Sequence, residues 1–233
     1  MKPIPGTWQR ALCVVAHPDD LEYGAASAVA RWTSEGKTVA YLLATRGEAG
    51  IQGVAPQECA PLRQQEELRS AAVVGVDDVT FLDHADGAVE YGLALRRDIA
   101  AAIRRVRPDL IVTMSFDLTW GDSGNVNHAD HRAVGLAVLD ACRDAANRWS
   151  FPDAGDPWGG AHEVYVFGAD GATHYVDVTD HLDLGVASLL EHRAYIDGLG
   201  TDFDPDSFLR SSARSSGGAA GVPLAVTFRQ YHT

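Results

Sequence analysis

The chain has 233 residues, 46% hydrophobic and 22% charged, enough to bury the core of one domain and too well mixed for a disordered, collagen-like or coiled-coil chain. Its formal net charge of -13 excludes nucleic acid as the main partner, because binding phosphate backbones needs a basic footprint.

The first two-thirds alternates short apolar runs with longer amphipathic ones. Ala11 to Ala16 reads as a buried strand, and Ala25 to Glu35 as a helix stopped by Gly36. Thr38 to Ala44 is a second strand. Pro61 to Val74 reads as a helix opened by its proline, with Gly75 at its end. Val79 to Leu82 is a short strand, Leu93 to Val106 a helix ended by Pro108, and Asp109 to Met114 another strand. His128 to Trp149 is a long helix. Phe151 to Gly160 breaks the pattern with Pro, Gly and Asp. Beyond it lie strands at His162 to Phe167 and His174 to Val178, a helix over Leu182 to Ile196, a mobile small-residue loop at Ser211 to Gly221, and a last strand from Val222 to Phe228. Strand and helix taking turns predict an α/β, Rossmann-like, mostly parallel sheet covered on both faces. One domain is expected over residues 1–233, with a core at 10–150 and a C-terminal extension at 151–233.

Cys13, Cys59 and Cys142 are odd in number and widely spaced, which suits neither a disulfide framework nor a cysteine zinc site. The start shows no signal peptide, and no apolar run approaches the ~20 residues that span a bilayer. The expectation is a cytoplasmic protein without membrane partner, and a homo-oligomer is compatible with it. Arg104, Arg105 and Arg107 end a predicted helix, where positive charge complements the helix dipole.

In an open parallel sheet, ligands bind beyond the carboxyl ends of the strands. Four such segments carry titratable groups: His17-Pro18-Asp19-Asp20, Thr45-Arg46-Gly47-Glu48, Asp83 to Asp86, and the loop from Ser115 to Asn127 leading into His128-Ala129-Asp130-His131. His17 and Asp20 lie three apart, as do His128 and His131, a spacing that shares one face of a helical turn. Two imidazoles and one carboxylate leave open positions on a divalent cation, the catalytic rather than structural arrangement for zinc. The ligand set read this way is His17, Asp20 and His131. Asp19 then stands beside the cation as a base for its water, and a protonated His128 as oxyanion stabiliser and acid for a leaving amine. One divalent metal per chain is expected, Zn²⁺ for hydrolysis, with Fe²⁺ also suited to this ligand set. Each motif alone also fits a plain role, His-Pro-Asp-Asp as a turn and Asn127 with Asp130 as a helix cap. A metal-dependent phosphoester hydrolase would need two metals. A dinucleotide-binding module would need a glycine-rich turn, which the first strand lacks.

Ala16 to Asp20 (AHPDD), followed by Asn127 to Gly135 (NHADHRAVG), resembles the LmbE/PIG-L family of zinc-dependent N-deacetylases. Thr45 to Gly50 (TRGEAG), Arg63 with Glu66, and Asp86-Gly87 resemble its other signatures. The resemblance covers about residues 10 to 150. It implies removal of an N-acetyl group from a GlcNAc-type sugar or its glycoside, or amide cleavage in a larger glucosaminyl conjugate. It implies the same ligands and base, with Asp130 orienting an imidazole, Arg63 and Asp86 contacting sugar hydroxyls, and Glu48 near the pocket. Some relatives carry an aromatic two residues before the first histidine of the last motif, where this chain has Val126. His192 is expected at the surface.

Overall fold

The computed structural model describes residues 1–121, 124–199 and 204–233. Residues 122–123, within the predicted Ser115 to Asn127 loop, lie outside the described residues. The elements run β1 (Lys2–Pro3), β2 (Arg10–Val15), α1 (Asp20–Gly24), α2 (Ala26–Ser34), β3 (Thr38–Leu43), α3 (Pro56–Val73), β4 (Asp78–Phe81), α4 (Leu93–Val106) and β5 (Leu110–Met114). They continue with α5 (Ala129–Ala146), β6 (Glu163–Phe167), β7 (His174–Asp177), α6 (Leu182–Leu189), α7 (Arg193–Leu199), α8 (Pro205–Ala220) and β8 (Ala225–His232).

One eight-stranded sheet has the order β1-β7-β8-β6-β5-β2-β3-β4. It is parallel except at β8, which runs antiparallel to both β6 and β7. The apolar runs read as buried strands are buried: Ala11 to Val15 and Leu110 to Met114 are closed to solvent. Both faces of these strands are covered, so no polar alternation is needed. The chain winds from β2 to β3 and β4 on one side, then crosses to β5 and β6 on the other. The crossover leaves a crevice between the carboxyl ends of β2 and β5, the place such sheets offer a ligand. No helix is long and apolar enough to cross a membrane among the described residues. All three cysteines are free and buried.

Several boundaries differ from the sequence expectation. α3 begins at Pro56, and Pro61 lies inside it, so the proline taken as the opener is the second of two. The predicted Leu182 to Ile196 helix is broken into α6 and α7, and the break turns His192 inward. The segment expected as a mobile loop, Ser211 to Gly221, is the second half of α8. Its serines and glycines are poor helix formers, and only Ala213, Arg214, Ala219 and Ala220 favour a helix, but the helix is well started and stopped. The Asp204 side chain accepts from Asp206 N–H, Pro205 holds the first position, and Gly221 ends it at φ 79°. A side chain at Gly217 would meet the backbone carbonyl of Pro223 at 2.5 Å, so a bare backbone lets α8 pack on the turn into β8. Packing of this kind overrides propensity.

Arg104 also departs from expectation. Its guanidinium complements the carboxyl end of α5 rather than its own helix. It is buried and donates to the carbonyls of Asp144 (2.9 Å), Ala145 (3.1 Å), Asn147 (2.9 Å), Ser150 (2.7 Å) and Phe151 (2.6 Å). Arg104→Ala should lower unfolding free energy by about 3 kcal/mol, since charged hydrogen bonds are worth more than neutral ones and the carbonyls stay buried. Arg105→Ala, which breaks an exposed pair with Asp78, should cost under about 1 kcal/mol. Urea denaturation of the two variants checks this, and equal losses would contradict the clamp.

Candidate active site and metal centre

The site gathers at the carboxyl ends of β2, β3, β4 and β5, and lines one cavity of about 720 Å³. His17 follows β2, and three carboxylates surround its ring. Asp130 Oδ2 lies 3.0 Å and Asp86 Oδ1 3.1 Å from Nε2, while Asp20 Oδ2 is 3.6 Å from Nδ1. A carboxylate can only accept, so Nε2–H is the donor to Asp130 and Nδ1 is turned toward Asp20. Desolvation, the largest influence on His17, lowers its pKa, but hydrogen bonds to Asp130, Asp20 and Asp86 together raise it well above the ordinary value.

Asp20 opens α1. Its Oδ2 accepts from the backbone N–H of Ala16 (3.0 Å) and His17 (2.8 Å), and its Oδ1 lies 3.0 Å from His131 Nε2. Burial pushes its pKa up, yet His131 and His17 outweigh burial and hold it well below the carboxylate range. His131 is aimed by Asn127. The Asn127 amide nitrogen donates to the carbonyls of Ser115 (2.8 Å) and Asp117 (3.0 Å), so its oxygen faces His131 Nδ1 at 3.0 Å and must accept. Nε2 of His131 is thereby left for Asp20 and the cavity. Each expected ligand thus has its remaining polar atom fixed by a second group, the arrangement that orients metal ligands.

His128, rather than Asn127, caps α5: its Nδ1 accepts from Asp130 N–H at 3.3 Å. A ring nitrogen that accepts carries no proton, so the ring held this way is neutral, with its donor at Nε2. Desolvation, then His17, lowers the His128 pKa, which favours the same neutral form. The protonated imidazole expected from sequence is therefore not the form this geometry holds. Ligand atoms of His17, His128 and His131 lie within 4.8 Å of one another.

Asp130 is fully buried and does more than orient one ring. Besides His17, it accepts from Gly87 N–H (2.7 Å) and Val89 N–H (3.1 Å), tying the Asp86-Gly87 turn to α5. Desolvation raises its pKa, but the His17 hydrogen bond and the two backbone donors lower it overall.

Asp19 sits at φ 89°, a left-handed conformation that a non-glycine residue rarely adopts. Three contacts hold it there. Its N–H donates to Glu67 Oε2 at 3.2 Å, Arg63 Nη2 lies 3.2 Å from its Oδ1, and Arg63 also donates to the Pro18 carbonyl. Its other oxygen, Oδ2, is buried with no hydrogen bond of ordinary geometry, and the Tyr195 hydroxyl is the carboxylate's neighbour. Burial pushes its pKa up to about 6, Arg63 being the main influence pulling it back. A left-handed aspartate on the cavity wall, with a buried oxygen that lacks an ordinary hydrogen bond, is strain kept for a purpose.

The residues expected to touch sugar divide. Arg63 lines the cavity, but its guanidinium is already engaged with Asp19, Pro18 and Gly47, and stacks on Tyr195 at 4.2 Å. A side chain at Gly47 or Gly50 would strike Arg63 Nη1 at 2.5 or 2.3 Å, the physical meaning of the glycines in TRGEAG. Asp86 lines the cavity and accepts from Ala49 N–H at 2.8 Å. Glu48 does not line it. Its carboxylate accepts from Arg46 N–H (3.2 Å) and Asp86 N–H (2.9 Å), bracing the loop that carries Asp86.

Sequence reasoning missed three features. Trp120 lines the cavity with its ring 5.6 Å from His131, an aromatic from the loop after β5, whereas Val126 is exposed. Tyr195 lines it from the broken helix pair. His192, expected at the surface, is fully buried, with Nε2 3.6 Å from both Glu22 Oε2 and Glu67 Oε2. Burial, then Glu22, raises the Glu67 pKa well above the ordinary value.

Residues 12–142 match the family described as PIG-L: GlcNAc-PI de-N-acetylase. The chain belongs to the PIG-L family. Diacetylchitobiose deacetylase of Thermococcus kodakarensis is 28% identical over 195 residues, covering 80% of this chain and 70% of that protein. 1D-myo-inositol 2-acetamido-2-deoxy-alpha-D-glucopyranoside deacetylase of Kineococcus radiotolerans is 31% identical over 172 residues, 59% of this chain and 48% of that longer protein. The crystal structure of N,N'-diacetylchitobiose deacetylase from Pyrococcus horikoshii, with its inhibitor MPG, superposes with a TM-score of 0.87 at 23% identity, over 97% of this chain and 85% of that one. At that identity the likeness is one of fold. The named PIG-L relatives are deacetylases of GlcNAc-type sugars. Asp20 lies between the two expected histidine ligands through different oxygens, 3.6 Å from His17 and 3.0 Å from His131, while the ligand nitrogens within 4.8 Å of one another are those of His17, His128 and His131; imidazole and carboxylate donors of this kind suit a divalent cation.

Proposed function

We propose that this chain is a metal-dependent hydrolase that removes the N-acetyl group from an N-acetylglucosamine-type amino sugar or its glycoside. The observation that carries the reading is Asp20 bridging His17 and His131 beside Asp19 Oδ2, which has no hydrogen bond of ordinary geometry. His17, Asp20 and His131 would hold one divalent cation, zinc by the hydrolytic chemistry. Bound there, it supplies polarisation of the acetyl carbonyl and acidification of water.

The protein's own residues do the rest. Asp19 Oδ2 takes a proton from the attacking water as its oxygen bonds to the acetyl carbon. The carbonyl electron pair moves onto oxygen, and His128 Nε2–H donates to that oxyanion. As the carbon–nitrogen bond breaks, the proton held by Asp19 passes to the leaving nitrogen, giving the free amine and acetic acid, which loses its remaining proton to water as acetate. A neutral His128 suits oxyanion donation better than acid catalysis, so the shuttle falls to Asp19. Arg63 keeps the Asp19 carboxylate in place, and Asp86 faces the sugar hydroxyls from the loop braced by Glu48.

The test is acetate release from N-acetylglucosamine and its glycosides by the purified protein, before and after chelation and re-addition of zinc. Turnover lost on chelation and restored by zinc supports the reading, and no acetate from any of these substrates overturns it. His131→Ala should lower bound metal by at least 10-fold, as loss of one of three ligands exceeds the 10–100-fold effect known for orienting residues alone. Elemental analysis reads this directly, and a fully loaded variant would remove His131 from the ligand set.

A further inference from the structure

The cavity is far from uniform. Among the described residues, its Asp, Glu, Arg and His side chains come from the stretch between the end of β2 and the first turn of α5. The C-terminal third contributes the opposite wall, and β6, α6, α8 and β8 place no charged residue in it. That wall is apolar: Phe167 from β6, Leu182 from α6, Leu209 and Ala213 from α8, and Val226 from β8. Phe208, half-exposed at 45%, borders it and packs edge-on against Tyr23. The polar atoms among these elements are hydroxyls such as Ser212, Ser216 and Thr227.

The wall is rigidly built. A Cβ at Gly24 would fall 2.1 Å from the Phe167 ring, so the ring packs directly on bare backbone. Leu182, Leu209 and Ala213 belong to a small second core with Val186 and Leu189. This compartment is part of the same cavity as His17 and Asp19.

We infer that this compartment takes an uncharged, apolar aglycone carried by the amino sugar. The inference rests on the deacetylase reading above. In a deacetylase the acyl group is small, so the added volume serves the other end of the substrate. A second sugar or a cyclitol there could meet the Ser212, Ser216 and Thr227 hydroxyls, but its remaining hydroxyls would be desolvated against Phe167, Leu182, Leu209 and Val226. An alkyl or aryl group loses nothing and gains burial. The aglycone thus differs in kind from the second sugar and the cyclitol in the names of the two sequence relatives given above.

The test is a series of N-acetylglucosaminides from methyl to hexyl, below micellar concentrations, with free N-acetylglucosamine as reference. Burying each methylene is expected to raise kcat/KM about threefold, so roughly 240-fold over the five methylenes from methyl to hexyl. Calorimetric binding of the matching glucosamine glycosides should rise in parallel, a readout independent of turnover. Ser216→Phe and, separately, Ser212→Phe should bring the hexyl-to-methyl ratio toward one, with folding checked by melting. A flat series, while free N-acetylglucosamine is deacetylated, overturns this inference and leaves the function standing. Absence of acetate from every substrate, with no binding preference for the hexyl glycoside, overturns both. Faster cleavage of longer N-acyl chains than of acetyl would assign the compartment to the acyl group and overturn the aglycone.

Discussion

Asp19→Asn should lower turnover by about 10²- to 10⁴-fold, the contribution of a positioned general base, while bound metal stays unchanged. Asparagine is the informative replacement. It keeps the shape, tolerates the left-handed backbone at φ 89° and can still meet Arg63 through its amide oxygen. Only the ability to accept and return a proton is lost. The wild-type rate should rise with pH as Asp19 ionises. Burial, partly offset by Arg63, leaves its pKa raised to about 6, so the rising limb lies near pH 6. The measurements are kcat against pH together with elemental analysis of the variant. Loss of metal in Asp19→Asn would exchange the roles of Asp19 and Asp20.

His192→Ala should be the most damaging substitution away from the cavity. Glu22 and Glu67 are buried, and the His192 ring stands 3.6 Å from each. Removing it leaves two buried carboxyl groups without their nearest polar neighbour. A buried polar group left unsatisfied costs about 1–3 kcal/mol. At about 2–4 °C per kcal/mol for a chain of this size, losing both contacts should lower the melting temperature by roughly 4–24 °C. The pH dependence has a definite sign. Glu67 holds its proton more tightly folded than unfolded, so its contribution to stability falls as pH rises through that interval. The His192→Ala defect should therefore be smaller at pH 5 than at pH 8, and Glu67→Gln in that background should recover part of it. An unchanged melting temperature at both pH values would show that His192 does not hold Glu22 and Glu67 in place. Turnover should fall as well, because Glu67 accepts the N–H of Asp19 and helps hold its strained backbone.

Much of the site was legible because its parts are local. His17 and Asp20 share one turn after a strand, and His128 and His131 one turn at a helix start. Spacing within a turn is a short-range property that a sequence carries openly. The strand ends that bring these turns together follow from the alternation of apolar runs with amphipathic ones. The resemblance then named Asp130, Arg63, Asp86 and Glu48, without distinguishing a residue that faces the cavity from one that braces a loop.

The amino-acid sequence by itself determined the parallel sheet, its crevice and the two histidine–carboxylate turns, because periodicity and strand ends are written within a few residues of each other. Tertiary structure alone decided three other matters. It turned Arg104 onto another helix's carboxyl end, buried His192 between Glu22 and Glu67, and made a helix of a serine- and glycine-rich stretch. Each depends on contacts between segments far apart in the chain, such as Gly217 against Pro223 beyond its own helix and His192 against Glu22 on α1. Local propensity is worth tenths of a kcal/mol per residue, whereas burying a face or pairing a buried charge is worth several, so the distant contacts prevail.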